Sequence, residues 1–238
     1  MAFSFKAILL KKLDYGDHNM ILQTYTRERG NVAFFAYRSN SKNKKKSALP
    51  PLAILNITAS KGKGDLYRVK EIGNEYVLNN LMTDVYKSCM VLFINEVLIK
   101  TIRDYHQDEG LYDFIQDALR ELNEVHEKYF NFHLSFLMEF TRHLGFYPNG
   151  TRSEAKPFFD LYEGTFTEKE PLHSQFIPPD DSDIFRQLLQ NRHLNDERLK
   201  LDNDKRKVLL SYILDYYRTH VDQFDQLKST EVLEQVLA

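Results

Sequence analysis

The chain has 238 residues, 42% hydrophobic and 28% charged, with a formal net charge of −2. These are the proportions of a folded globular protein, long enough for one large domain or two modest ones. No apolar run reaches the roughly 20 residues of a membrane span, the N-terminus turns charged too soon for a signal peptide, and a single cysteine, Cys89, excludes a disulfide framework or a thiolate-based zinc site. The expected compartment is therefore the cytoplasm.

The small net charge conceals an asymmetry: residues 1–80 carry 14 Lys and Arg against 6 Asp and Glu, and the remainder 18 against 28. Halves so different are expected to meet different partners, the basic one a polyanion.

Residues 3–72 read as short strands rich in β-branched and aromatic residues: Phe5–Leu10, Met20–Thr26, Asn31–Tyr37, Leu52–Ala59 and Leu66–Ile72. Turns at Asp14-Tyr15-Gly16-Asp17, Arg29-Gly30-Asn31 and Lys61-Gly62-Lys63-Gly64-Asp65 separate them. So many short strands predict a small closed barrel, because closure removes exposed edges. The third strand is apolar on both parities, with Val32, Phe34 and Ala36 on one face and Ala33, Phe35 and Tyr37 on the other. One face fills the barrel, and the other packs on another element or stays available for stacking. Phe34 and Phe35 point oppositely, so one is core.

Between Arg38 and Ser47 there is no aliphatic residue, only Ser, Asn and five cations: Arg38, Lys42, Lys44, Lys45 and Lys46. Such a segment cannot build a core and stays solvated unless a polyanion neutralises it. Cations tracking phosphates beside aromatics on which bases stack are a general solution for binding single-stranded nucleic acid. An ordinary solvated hairpin loop has the same composition.

From about Asn80 the period becomes helical. Leu81–Arg103 is apolar nearly all round, as a central helix is. Glu109–Asn123 and Lys128–Leu144 keep a 3, 4 apolar spacing, the latter stopping at Gly145 and Pro148. Ser182–Asn191, Asp204–His220 and Thr230–Leu237 complete a helical bundle. An irregular insert rich in proline and aromatics, near residues 146–179, contains a candidate hairpin, Phe158–Phe166, turning at Glu163-Gly164. The expected division is 1–78 and 79–238.

No phosphate-loop or nucleophile motif is present. His106, His126, His133 and His143 do not pair at helical metal-clip spacing, and Asp180, Asp181 and Asp183 read as first-turn acids of a helix. Cys89 reads as a small core residue. The chain looks like a binding protein, not an enzyme, with no cofactor and no metal.

The order Ala7-Ile8-Leu9-Leu10, Asp14-Tyr15-Gly16-Asp17, Met20–Tyr25, Thr26-Arg27-Glu28-Arg29-Gly30, Val32-Ala33-Phe34-Phe35-Ala36, a basic loop and Ala48-Leu49-Pro50-Pro51-Leu52 resembles the RecO family of bacterial recombination mediators. The likeness covers roughly the first 75 residues well; beyond them it rests on the helical pattern and on Leu144-Gly145-Phe146-Tyr147-Pro148. Two departures stand out. Tyr37-Arg38 occupies the place of a common Lys-Gly pair, and the segment where many relatives carry a four-cysteine zinc site has no cysteine. Packed aromatics of the Phe158–Phe166 hairpin are expected there instead.

The resemblance implies an N-terminal OB-fold followed by an α-helical domain. It implies a DNA repair factor, associated with the nucleoid, that binds single- and double-stranded DNA and anneals complementary strands. It further implies loading of the recombinase onto DNA coated by single-strand-binding protein, with RecR as partner. The phosphate contacts expected are Arg27, Arg29, Arg38, Lys42, Lys44, Lys45, Lys46, Lys61 and Lys63, with Lys11 and Lys12 behind them and Phe35 and Tyr37 as stacking residues. The acidic tail of the single-strand-binding protein would meet Lys100, Arg103 and Arg142 on the helical half. The competing class is a protein–protein adaptor whose barrel binds no DNA.

Overall fold

The computed structural model describes residues 2–37, 49–62, 64, 66–102, 107–150, 153–190, 194 and 199–237. The loop cations Arg38, Lys42, Lys44, Lys45 and Lys46, together with Lys63 and Arg103, lie outside these residues. The described chain forms two compact units, divided after Glu124.

In the first unit, β1 (Ala2–Tyr15), β2 (Asn19–Thr26), β3 (Gly30–Tyr37), β4 (Ile54–Lys61) and β5 (Tyr67–Tyr76) close into a barrel of order β1-β2-β3-β5-β4. All neighbours are antiparallel except β3 and β5, which pair in parallel through Phe34–Tyr67 and Phe35–Arg68. A five-stranded Greek-key barrel of this order is the OB-fold.

Alternation decides what fills it. Phe5, Ala7 and Leu9 from β1, Val32, Phe34 and Ala36 from β3, and Leu55, Ile57 and Ala59 from β4 point inward and are buried. Phe5, Phe34 and Tyr67 meet at ring-centroid distances of 5.0–5.9 Å. Each such side chain contributes roughly 1.5–3 kcal/mol by burial. The opposite parity is treated unequally around the barrel. Ile8, Tyr25 and Ile54 are buried on the outer side, where α2 packs on β1, whereas the outer row of β3 stays partly or fully open.

Several boundaries differ from those the sequence predicts. β1 runs 14 residues instead of six, pairing with β4 from Ala2 to Ile8 and with β2 from Ala7 to Tyr15, with a register shift between Leu9 and Lys11. β4 starts at Ile54 and not at Leu52, whose φ of 58° and amide bond to the Leu9 carbonyl (2.8 Å) make it a buried turn residue. The single helix expected over Leu81–Arg103 is two, α1 (Asn79–Thr83) and α2 (Val85–Thr101). Asp84 separates them in an extended conformation, and its carboxylate accepts from the Lys87 amide as the N-cap of α2. Cys89 is half-buried and not enclosed in the core, whereas Lys87 on the same helix is buried, its Nζ 3.4 Å from the Asn123 carbonyl. Burial pushes that ammonium's pKa down.

α3 (Glu109–Glu124) completes the first unit. The strand-to-helix change near residue 79 and the packing boundary after residue 124 therefore do not coincide.

The second unit contains α4 (Phe132–Leu144), a small sheet of β6 (Phe158–Asp160), β7 (Thr165–Thr167) and β8 (Phe176–Ile177), then α5 (Pro179–Gln190), α6 (Asn203–His220) and α7 (Ser229–Val236). Gly145 ends α4 in the left-handed region at φ 85°. Strands β6 and β7 form the hairpin expected around Glu163-Gly164, and β8 adds a third strand the sequence did not announce. Phe159 packs on Phe166, Phe185 and Tyr216 at 4.7–6.0 Å. Among the described residues no group of three His, Cys, Asp or Glu side chains is placed to hold a metal ion, and no helix is long and apolar enough to cross a membrane.

Candidate nucleic-acid interface

The open side of the barrel is built by the pleat. Residues 31, 33, 35 and 37 of β3 face outward, paired across β2 with Tyr25, Gln23, Ile21 and Asn19. Phe34 belongs to the core, and Phe35 is half-buried on the outer face beside the exposed Tyr37. The end of β1 brings a third ring: Tyr15 and Tyr37 each meet Phe35 edge to face, at 6.0 and 5.5 Å.

Beside this face runs an open groove of about 980 Å³. Lys11, Arg29 and Lys61 supply its cations, Gln23 and Asn31 its polar wall, and Ile99 and Ile102 at the end of α2 part of its apolar side. Among the described residues no carboxylate lines it. Arg29 lies 5.9 Å from the ring centres of both Phe3 and Tyr67, which orients the guanidinium without neutralising it. None of Lys11, Arg29 and Lys61 is ion-paired among the described residues. Cations concentrated in a concave site with no opposing charge produce a field that attracts polyanions.

Arg27, expected with the phosphate contacts, is placed differently. Its guanidinium donates to both oxygens of Asp113 at 2.9 and 3.1 Å and lies 2.8 Å from Glu109. The bidentate bond holds the Asp113 carboxyl below the usual carboxylate range and strengthens the arginine's hold on its proton. Arg27 thus joins the barrel to α3, alongside the Tyr25 hydroxyl, which donates to the Asp108 carbonyl, and the Asn31 amide, which donates to the Ile102 carbonyl.

Of the other expected cations, Lys61 and Arg29 share the groove with Lys11, while Lys12 is exposed on β1. Lys100 lies in the last turn of α2 in the first unit. Arg142 lies on α4 in the second unit, bonded to Glu139 at 2.9 Å and stacked 3.3 Å over the Tyr147 ring. Sequence reasoning passed over Tyr15, Gln23, Asn31 and Arg68. Arg68 had a legible signal, as the outward neighbour of inward Tyr67 on a strand.

The groups whose proton affinity is most displaced, Tyr112 of the first unit and His133, Tyr216 and Tyr217 of the second, are core residues, shifted chiefly by burial. The open face offers charge and stacking surface.

Two family descriptions match the chain: "Recombination protein O N terminal" over residues 1–74 and "Recombination protein O C terminal" over residues 82–231. The chain belongs to the RecO family. A protein of Flavobacterium psychrophilum named DNA repair protein RecO is 33% identical over the full length of both chains. Proteins of the same name from Azobacteroides pseudotrichonymphae and Phocaeicola vulgatus are 30% and 32% identical, over 99% and 97% of each chain. Membership in the RecO family therefore extends well beyond the first 75 residues on which the sequence motifs rest.

Proposed function

We propose that this chain serves DNA repair and recombination as a non-catalytic mediator. It binds single- and double-stranded DNA through the barrel, anneals complementary strands, and with RecR helps place the recombinase on DNA coated by single-strand-binding protein. Family membership supports the repair role, and the groove of Lys11, Arg29 and Lys61, with no carboxylate among its described lining residues, is the observation that carries DNA binding. Annealing requires no bond chemistry: cations reduce the repulsion between two strands, and aromatic faces hold bases apart from one another until they pair. The loop cations Arg38, Lys42, Lys44, Lys45 and Lys46, with Lys63, are proposed as further phosphate contacts. Lys100, Arg103 and Arg142 remain the residues proposed for the acidic partner tail.

The test is a salt series with a fluorescent single-stranded oligonucleotide, comparing the intact protein with the triple variant Lys11→Ala, Arg29→Ala, Lys61→Ala. Each phosphate contact contributes about −0.7 to the log–log slope on a single strand. The triple variant is expected to bind more weakly, with a slope shallower by about 2. Identical slopes would refute the groove as the DNA path, and salt-insensitive binding or none by the intact protein would favour an adaptor.

A further inference from the structure

A second concavity, of about 360 Å³, opens next to the groove and shares Leu66 and Tyr67 with it. Its remaining walls are Tyr15, Ile21, Phe35, Gly62 and Arg68. The composition differs from that of the groove: among the described residues its walls are aromatic and aliphatic, with one cation and no carboxylate. Resting on the DNA-binding reading above, we propose that this pocket takes one unpaired nucleobase of a single strand, with Arg68 on the adjoining phosphate.

Three observations bear on the occupant. The size falls within the roughly 300–1,000 Å³ of small-ligand sites, enough for a single nucleotide and too small for a base pair with its backbones. Tyr15 and Tyr37 stand at 77° and 86° to Phe35, so a flat guest stacked on one ring meets another edge-on, and both geometries are favourable for π-systems. Tyr15 and Tyr37 are 58% and 62% exposed, which leaves faces of both available. Arg68, directly across the ladder from Phe35, is exposed and not ion-paired among the described residues.

Gly62 keeps the β4–β5 connection close. Its amide bonds the Leu66 carbonyl at 2.9 Å, and a Cβ there would sit 2.6 Å from that oxygen. The pocket wall thus requires a residue with no side chain. A base already paired in a duplex presents no free face to the rings, so the pocket selects single strands, whereas the groove acts on phosphates alike in both.

The experiment compares an oligothymidine with an equally long oligonucleotide of abasic sites, by fluorescence anisotropy on the full chain. The intact protein is expected to prefer the base-bearing strand by roughly 10-fold or more. Phe35→Leu, which keeps apolar volume and removes one of the three aromatic faces, should lower that ratio several-fold, a larger change than any in abasic affinity. Arg68→Gln should weaken both strands and reduce the slope by about 0.7. A 2-aminopurine in the oligonucleotide, quenched by the intact protein, should be quenched less by Phe35→Leu. An undiminished base preference in a Phe35→Leu protein of native circular dichroism would overturn the pocket and leave DNA binding intact. No binding of either strand by the intact protein would overturn the DNA-binding reading itself.

Discussion

His133 makes the second unit sensitive to acid. It lies on α4 with 1% of its surface exposed, next to Arg206 of α6, which is itself buried. The Arg206 guanidinium donates to neutral acceptors: Asn131 Oδ1 at 3.1 Å, Asn203 Oδ1 at 2.6 Å, and the Leu201 and Leu237 carbonyls at 3.3 Å. Burial and this positive neighbour push the imidazole pKa down to about 3 from its ordinary 6.5, against one backbone hydrogen bond with Phe130. Between these values the unfolded chain binds a proton that the folded chain refuses. The histidine's contribution is therefore complete above pH 6.5 and falls as pH drops toward 3, by up to about 1.4 kcal/mol per pH unit. From pH 7.5 to pH 5 this amounts to about 2 kcal/mol, a large share of the roughly 5–15 kcal/mol typical of folded proteins. The assay is urea unfolding followed by helical circular dichroism at both pH values, on the intact protein and on His133→Gln. The variant loses some stability at both, but its loss between pH 7.5 and 5 should be smaller by about 2 kcal/mol. Equal losses in the two proteins would refute the reasoning.

Two further outcomes are expected. Arg27→Gln removes a bond between barrel and α3 rather than a phosphate contact, so the urea midpoint should fall while the salt slope of DNA binding stays unchanged; a shallower slope would return Arg27 to the DNA path. Asp84→Ala removes the N-cap of α2 and should cost about 1 kcal/mol in urea unfolding without altering DNA affinity at fixed salt.

The two rows of β3 were legible because strict alternation puts Val32, Phe34 and Ala36 on one side and Phe35 and Tyr37 on the other, but both rows are apolar, so which one fills the barrel was not. Gly145 announced the end of α4 for an equally local reason, since the left-handed cap favours glycine. The break at Asp84 was hidden because apolar residues continue on both sides of it, and one extended residue hardly disturbs the spacing. Arg27 read as a phosphate ligand because it sits in a basic run, while its acidic partner stands 86 residues away. No local pattern carries such a pairing. The packing boundary after Glu124 is non-local in the same sense, because it depends on which helices the barrel's covered side recruits.

That covered side has a consequence for inheritance. The barrel closes its hydrogen-bond ladder with β5, which ends at Tyr76, and the family halves meet between residues 74 and 82. A chain cut there would strand the Tyr25 hydroxyl, the Arg27 guanidinium and the Asn31 amide, whose partners lie between Ile102 and Asp113. The OB-fold is thus not a cassette that recombination between genes could lift out at its last strand. The portable piece is longer than the recognisable one, and a gene fusion that respects it would carry the first three helices along.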